Sequence, residues 1–263
     1  MNIGLIIIGD EILSGKRQDK HLAKVIELLG ARGLSLAWSL YLGDDRERIT
    51  AALRQAFASG DLVFSCGGIG ATPDDHTRQA AAAALGVPLE LHPEAKALIE
   101  QRMREIAAEQ GVALEPERAD NLHRLNMGRF PAGASIVPNP YNRIPGFSVG
   151  DVHFVPGFPV MAWPMIEWLL DHRYAALQDG SRARERSLIV FGAMEATLTP
   201  LMEDVEARFP GVKVFSLPSV DHPQYGRHIE LGVKGTVALD EAFAALRSGL
   251  DRFEVRVGPE MVR

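Results

Sequence analysis

The sequence predicts an α/β protein: a three-layer α/β/α domain on a mostly parallel sheet, followed by a small C-terminal α+β domain. Apolar runs of strand length at residues 3–8, 34–42 and 61–65 alternate with amphipathic segments at 19–29 and 46–58. This βαβαβ order enforces right-handed crossovers and a sheet covered on both faces. Each run is followed by glycine and acid: Gly9-Asp10-Glu11, Gly43-Asp44-Asp45, and Gly67-Gly68 with Asp74-Asp75. The carboxyl ends of parallel strands share one edge, so these acids can converge there.

Composition narrows the function classes. The 263 residues are 46% apolar and 24% charged, enough for a substantial core. A net charge of −6 and a pI near 5.8 argue against a nonspecific nucleic-acid binder. The single cysteine, Cys66, excludes an intramolecular disulfide and a multi-cysteine zinc site, and a reducing cytoplasm is expected. At the end of a buried strand, with no histidine near it in sequence, Cys66 reads as a packed apolar side chain rather than a nucleophile. The N-terminal apolar run lacks a basic flank and is too short for a signal peptide, and no apolar span approaches membrane length.

Residues 3–8 are a continuous apolar run, as expected of a strand buried on both faces. The segment from Gly9 to Arg17 resembles a P-loop superficially, but its glycine spacing and Arg17 exclude that motif. A helix over 19–29 places Leu22, Val25, Ile26 and Leu29 on one face, and a helix over 46–58 does the same with Ile49, Leu53 and Phe57. The third strand, 61–65, runs into Gly67, Gly68 and Gly70, where backbone can approach a ligand because no Cβ intervenes. A helix opening at Thr72–Asp75, with Pro73 in its first turn, then continues through the Ala-rich run 79–85.

Residues 93–109 read as a charged helix, 111–126 as a loop with a short helix, and 135–138 and 151–155 as short strands around a Pro/Asn/Gly loop at 139–146. The turn at 155–159 opens a helix ending near Tyr174, with Trp163, Ile166, Leu169 and Leu170 as core. The first domain is thus 1–175 and the linker 176–186. Strand, helix, strand, strand and helix at 187–191, 198–209, 212–217, 228–233 and 239–253 form the second domain, 187–263.

Glycine-rich backbone before a helix N-terminus suits phosphate or carboxylate oxygens. Asp74 and Asp75 either cap that helix or hold a cation that bridges to a phosphate. The dinucleotide fingerprint is excluded because Ala71-Thr72-Pro73 follows Gly70, and no Lys-Ser/Thr pair makes a P-loop.

With these residues in view, the first 175 positions resemble the MoaB/Mog molybdopterin-binding domain, and more closely the N-terminal part of the CinA (competence/damage-inducible protein A) family. The resemblance rests on Gly9-Asp10-Glu11 through Gly15, Gly43-Asp44 with Arg46 to Ile49, the glycine loop with Asp74, Asp75 and Thr77, then Asn139-Pro140, Pro145-Gly146 and Pro156-Gly157-Phe158-Pro159. It implies that the tail is the small middle domain of that family, without the deamidase domain of longer relatives.

The resemblance also implies a ligand phosphate near Gly67, Gly68, Gly70 and Thr72, with Ser14, Gly15 and Thr77 assisting. Asp44 and Asp75 match the acidic active-site residues, and Asp75, Asp74, Asp44 and Glu11 are the candidate metal ligands. Asp10, Asn139, Tyr141, Arg143, Pro145, Gly146, Pro156 and Gly157 would line the substrate pocket. His76 is a candidate base, against the commoner fate of a first-turn histidine, which is exposure. Ala71, the Tyr141-Asn142-Arg143 stretch and Met161 depart from the family pattern; Arg143 offers a phosphate contact and Tyr141 a stacking ring.

Two branches of chemistry belong to the family. One is hydrolysis of a nucleotide pyrophosphate such as ADP-ribose or FAD, with Mg²⁺, Mn²⁺ or Co²⁺. The other is binding or adenylylation of molybdopterin. A non-catalytic scaffold is the alternative from a different class. The expected partner is a phosphorylated small molecule, with no nucleic acid and no membrane, and the resemblance implies a homo-oligomer, dimer or trimer.

Overall fold

The computed structural model describes residues 1–178 and 184–262. It divides into two compact units, Met1–Gln178 and Asp179–Arg263. In the first unit the elements are β1 (Ile3–Ile8), α1 (Asp10–Leu13), α2 (His21–Gly30), β2 (Trp38–Leu42), α3 (Arg46–Ser59), β3 (Leu62–Cys66), α4 (Thr77–Leu85), β4 (Leu89–Leu91), α5 (Pro93–Glu109), α6 (Ala119–Asn126), β5 (Arg129–Pro131), β6 (Ser135–Val137), β7 (Gly146–Val149), β8 (Val152–Val155) and α7 (Pro159–His172).

Among the described residues the main sheet has six strands in the order β2-β1-β3-β8-β7-β6. β2, β1, β3 and β8 are parallel neighbours, whereas β7 runs antiparallel to both β8 and β6. The mostly parallel α/β/α expectation is met, with an antiparallel extension at one side. The period-2 alternation of a strand explains the unbroken apolar runs. Leu5, Ile7, Phe64 and Cys66 face a core closed by α2 and α7. Ile6, Ile8 and Val63 face the opposite core, closed by Ile49 and Leu53 of α3 and Ala80 and Ala81 of α4.

Three elements differ from expectation. The second strand begins at Trp38 rather than residue 34, because Trp38 lies flat over Gly4, whose Cβ would meet the indole at 2.1 Å. The helix after the glycine loop begins at Thr77, not at 72–75, for reasons that belong to the site. β7 occupies the end of the expected 139–146 loop: Gly146 starts it because a Cβ there would meet the Phe154 carbonyl at 2.2 Å. That approach stacks Phe147 on Phe154 and Phe130 on Phe147, with ring centroids 4.3 and 4.7 Å apart.

Past the first unit a short 3₁₀ turn covers Ala175–Leu177. Of the expected 176–186 linker, residues 179–183 lie outside the described residues, and Arg184–Arg186 instead open a strand. The second unit comprises β9 (Arg184–Phe191), α8 (Glu195–Arg208), β10 (Lys213–His222), β11 (Gly226–Gly235), α9 (Leu239–Gly249) and β12 (Arg256–Val262). Its sheet, β10-β11-β9-β12, is antiparallel, and α8 and α9 cover one face through Leu198, Val205, Phe243 and Leu246. β12 extends the expected βαββα pattern. Gly258-Pro259 obscures it in sequence, and the strand accommodates them at an edge, where the register shifts.

The three tryptophans, Trp38, Trp163 and Trp168, all lie in the first unit, so their fluorescence reports its unfolding alone. Phe147→Ala, in the fully buried ring stack, is expected to cost about 3–5 kcal/mol in urea unfolding followed by this signal.

Candidate functional site

The carboxyl ends of β1, β2, β3 and β8 surround a pocket of about 410 Å³. Its floor is the glycine loop after β3. Gly67 has φ 110° and its missing Cβ would lie 2.3 Å from the Ile8 carbonyl; Gly68 has φ 68° and faces the Thr77 hydroxyl in the same way. A side chain at Gly67 would force the ends of β1 and β3 apart, and one at Gly68 would push the loop off Thr77.

Asp75 organises the rest of the loop. Its carboxylate accepts hydrogen bonds from the Gly70 N–H (2.8 Å), the Thr72 N–H (2.8 Å) and the Thr72 hydroxyl. This closed turn uses residues 70–75, which is why the helix starts only at Thr77. Thr77 is buried; its N–H donates to the Gly68 carbonyl and its hydroxyl to the Gly67 carbonyl, each at 3.0 Å. Thr77 therefore braces the loop from behind and does not offer its hydroxyl to the pocket. Buried Arg78, which sequence reasoning missed, donates to the Gly70 and Asn126 carbonyls, both at 2.6 Å. The one cation in an otherwise Ala-rich helix was its only signal.

The acidic wall has its own scaffold. The Asp10 N–H donates to the Asp44 carboxylate at 2.8 Å and the Asp44 N–H to the Asp10 carboxylate at 3.1 Å, tying the ends of β1 and β2 together. Gly43 leaves room for this, since a Cβ there would meet the Asp10 carboxylate at 2.4 Å. Burial pushes the Asp44 carboxyl above the usual carboxylate range; the Asp10 N–H opposes this, and the negative charges of Asp10, Glu11 and Asp74 add to it.

Glu11, Asp44, Asp74 and Asp75 all line the pocket, as do Gly67, Gly68, Gly70, Thr72, Asn139, Pro145, Pro156 and Gly157. Asp10 and Ser14 instead face a shallower depression on the same edge, shared with Glu11, Asp44 and Asp74. Gly15 is exposed in the turn after α1 and lines neither, and Gly146 is buried at the start of β7. His76 precedes α4 outside the lining.

Two expectations for the 139–146 loop are corrected. Tyr141 is 61% exposed and outside the lining. Arg143, at φ 65°, is paired with Glu105 of α5 at 3.0 Å, so its guanidinium is engaged away from the glycine loop. Both follow from buried Asn139, whose amide donates to the Asn142 side chain and the Ile144 carbonyl and whose oxygen accepts from the Tyr141 N–H. The loop folds around that amide, presenting Asn142 and Ile144 to the pocket instead. Sequence reasoning also missed Arg17 and Phe158 in the lining.

Cys66, beneath the loop, is buried, and burial with the nearby Asp19 charge pushes its thiol up, so it stays protonated. Among the described residues no three His, Cys, Asp or Glu side chains form a group able to hold a metal ion, and no helix is long and apolar enough to cross a membrane.

The fold and the loop define an α/β protein with a ligand cleft at the carboxyl edge of a mostly parallel sheet. Residues 4–176 match the family described as "Probable molybdopterin binding domain", and the chain belongs to that family. It is 34% identical over 213 residues to a CinA-like protein of Anaeromyxobacter sp., covering 78% of this chain and 49% of that one. A CinA-like protein of Syntrophotalea carbinolica is 32% identical over 271 residues, covering 99% and 61%. The chain thus spans roughly half the length of the first of these curated relatives. The crystal structure of the protein CinA with unknown function from Thermoplasma acidophilum aligns with TM-score 0.54 at 27% identity, covering 65% of this chain and 98% of that one.

Asp75→Ala removes the acceptor for three donors and is expected to destabilise the first unit by about 1–3 kcal/mol in urea unfolding. Asp44→Asn should do the reverse. A carboxyl raised in the fold ionises first in the unfolded chain, so Asp44 detracts from stability as pH rises above its unfolded pKa, and fully once pH exceeds its folded pKa. Asparagine keeps an acceptor for the Asp10 N–H; the variant's melting temperature should exceed the parent's at pH 7, with the advantage vanishing on acidification.

Proposed function

We propose that the chain binds a phosphorylated small molecule on the glycine loop and hydrolyses a nucleotide diphosphate such as ADP-ribose or FAD with a divalent cation. The observation that carries the reading is the convergence of Glu11, Asp44 and Asp74 on the pocket floored by residues 67–72. Backbone donors there suit phosphate oxygens, and carboxylates suit a hard cation. The fit to a cation rests on donor chemistry. The carboxylates do not form a ready-made cage, but Mg²⁺ commonly takes one or two carboxylates and completes its shell with substrate phosphates and water. Glu11 and Asp74 would hold it, and it would supply neutralisation of phosphate charge.

The chain's own residues would do the remainder. The N–H groups of Gly68, Ile69 and Ala71 meet the phosphate, since those of Gly67, Gly70 and Thr72 are taken by the Val155 carbonyl and the Asp75 carboxylate; Asp75 and Arg78 fix the loop before the ligand arrives. Asp44, with its raised proton affinity, suits accepting the proton of the attacking water. The water oxygen bonds to phosphorus, the bond to the bridging oxygen breaks, and two phosphate monoesters leave. A second reading, supported by the family description, is that the loop holds the phosphate of molybdopterin without cleaving it. A cytoplasmic location and self-association as a dimer or trimer belong to the proposal as well.

The test is release of a nucleoside monophosphate from ADP-ribose and FAD with Mg²⁺, Mn²⁺ or Co²⁺. Asp44→Asn is expected to lower turnover by about 10²–10⁴. Turnover undiminished in Asp44→Asn, or none at all alongside tight molybdopterin binding, would replace hydrolysis with the second reading.

A further inference from the structure

Beside the loop pocket lies a second one, of about 330 Å³, walled by Arg17, Lys20, His21, Phe158 and Pro159. The two share Glu11, Arg17, Gly157 and Phe158, so they meet along a seam rather than standing apart. The loop pocket alone lies near the lower end of the roughly 300–1,000 Å³ typical of ligand sites. Joined, the two can take a ligand with two organic halves.

The chemistry of the two pockets differs. Glu11 and Arg17 line both; the first adds three further carboxylates and the glycine loop, and the second adds the cation Lys20, in a chain whose net charge is −6. Arg17 is held by its backbone, its N–H donating to the Glu11 carbonyl at 2.9 Å. Its guanidinium is 65% exposed, approaches Glu11 only to 4.0 Å and makes no side-chain hydrogen bond among the described residues. A permanently charged fork with unspent donors at the seam of a phosphate pocket matches a second phosphate.

The wall carries two further signs of a ligand. Phe158 is 55% exposed on the seam, an apolar ring with no core to join. His21 is 4% exposed; its Nε2 lies 2.9 Å from the Gly157 carbonyl and so carries the proton, which leaves Nδ1 buried and without a hydrogen-bond partner among the described residues.

We propose that this second pocket is the leaving-group subsite of the cleft, and that Arg17 holds the departing phosphate of a diphosphate diester bearing an organic group on each phosphate. The assignment rests on the hydrolytic reading above. The phosphate on the glycine loop is attacked: the water oxygen bonds to its phosphorus as the proton passes to Asp44. The bond from that phosphorus to the bridging oxygen breaks, and the electron pair stays with the leaving phosphate. Arg17 meets the charge that develops there, while Phe158 and Lys20 cover the second organic half.

Binding of uncleavable probes tests this without turnover. Calorimetry with Mg²⁺ would compare AMP, α,β-methylene-ADP and the α,β-methylene analogue of ADP-ribose on the full chain. Arg17→Gln is expected to weaken both diphosphate probes about tenfold and leave AMP unchanged, and Phe158→Ala to weaken only the ADP-ribose analogue. Both side chains are more than half exposed, so both variants should fold as the parent does. Equal losses for all three probes, no loss in Arg17→Gln, or no preference for the two-halved probe in the parent would overturn the subsite. The expected binding pattern with no release of nucleoside monophosphate from ADP-ribose would leave the subsite standing and remove the hydrolytic reading.

Discussion

The close meeting of β1 and β3 at their carboxyl ends is the constraint on which the rest of the cleft depends. The Gly67 backbone passes so near the Ile8 carbonyl that not even a methyl group fits between them. That contact sets where the loop leaves the sheet, and Thr77 then fastens it from below with two hydrogen bonds to consecutive glycine carbonyls. The Gly67, Gly70 and Thr72 N–H groups are spent on the Val155 carbonyl and the Asp75 carboxylate, which leaves those of Gly68, Ile69 and Ala71 without a protein acceptor among the described residues of the loop that lines the cleft. The binding surface is thus built mainly of peptide, whose position is fixed by strand pairing, rather than of mobile side chains.

Charge is the second organising force, and it works against stability. Asp10 and Asp44 grip each other's backbone N–H groups, which holds two like-charged side chains in proximity. Glu11 and Asp74 add to the repulsion that Asp44 meets, on top of its partial burial. A folded protein gains nothing from such an arrangement when empty; a cation or a proton relieves it. Asp75, by contrast, spends its carboxylate on three donors of its own loop. Two aspartates that look equivalent in the sequence therefore have different work, one poised electrostatically and one committed to shaping the loop.

Much of the first unit could be read directly. Uninterrupted runs such as Ile3–Ile8 report a strand covered on both faces, and helical spacing at Ile49 and Leu53 identifies the α3 face. The acidic strand ends were legible because parallel topology sends them all to one edge. Short elements were not: β7 and β12 contain or adjoin glycine and proline, so their local pattern resembles a turn until a partner strand supplies the pairing. The resemblance put Tyr141 and Arg143 in the pocket, but Asn139 folds their loop so that Arg143 meets Glu105 of α5.

By itself, the order of residues determined which peptide groups and carboxylates would gather at the sheet edge, because strand polarity follows from chain connectivity. Only the tertiary structure decided which of them face the ligand space. Thr77 turns inward, Asp75 turns back on its own loop, and Arg17, Arg78, His21 and Phe158 take up places that no local spacing announces. The physical reason is that a side chain's direction depends on which buried donors and acceptors need partners. Those partners, such as the Gly157 carbonyl beside His21, arrive from segments distant in the chain.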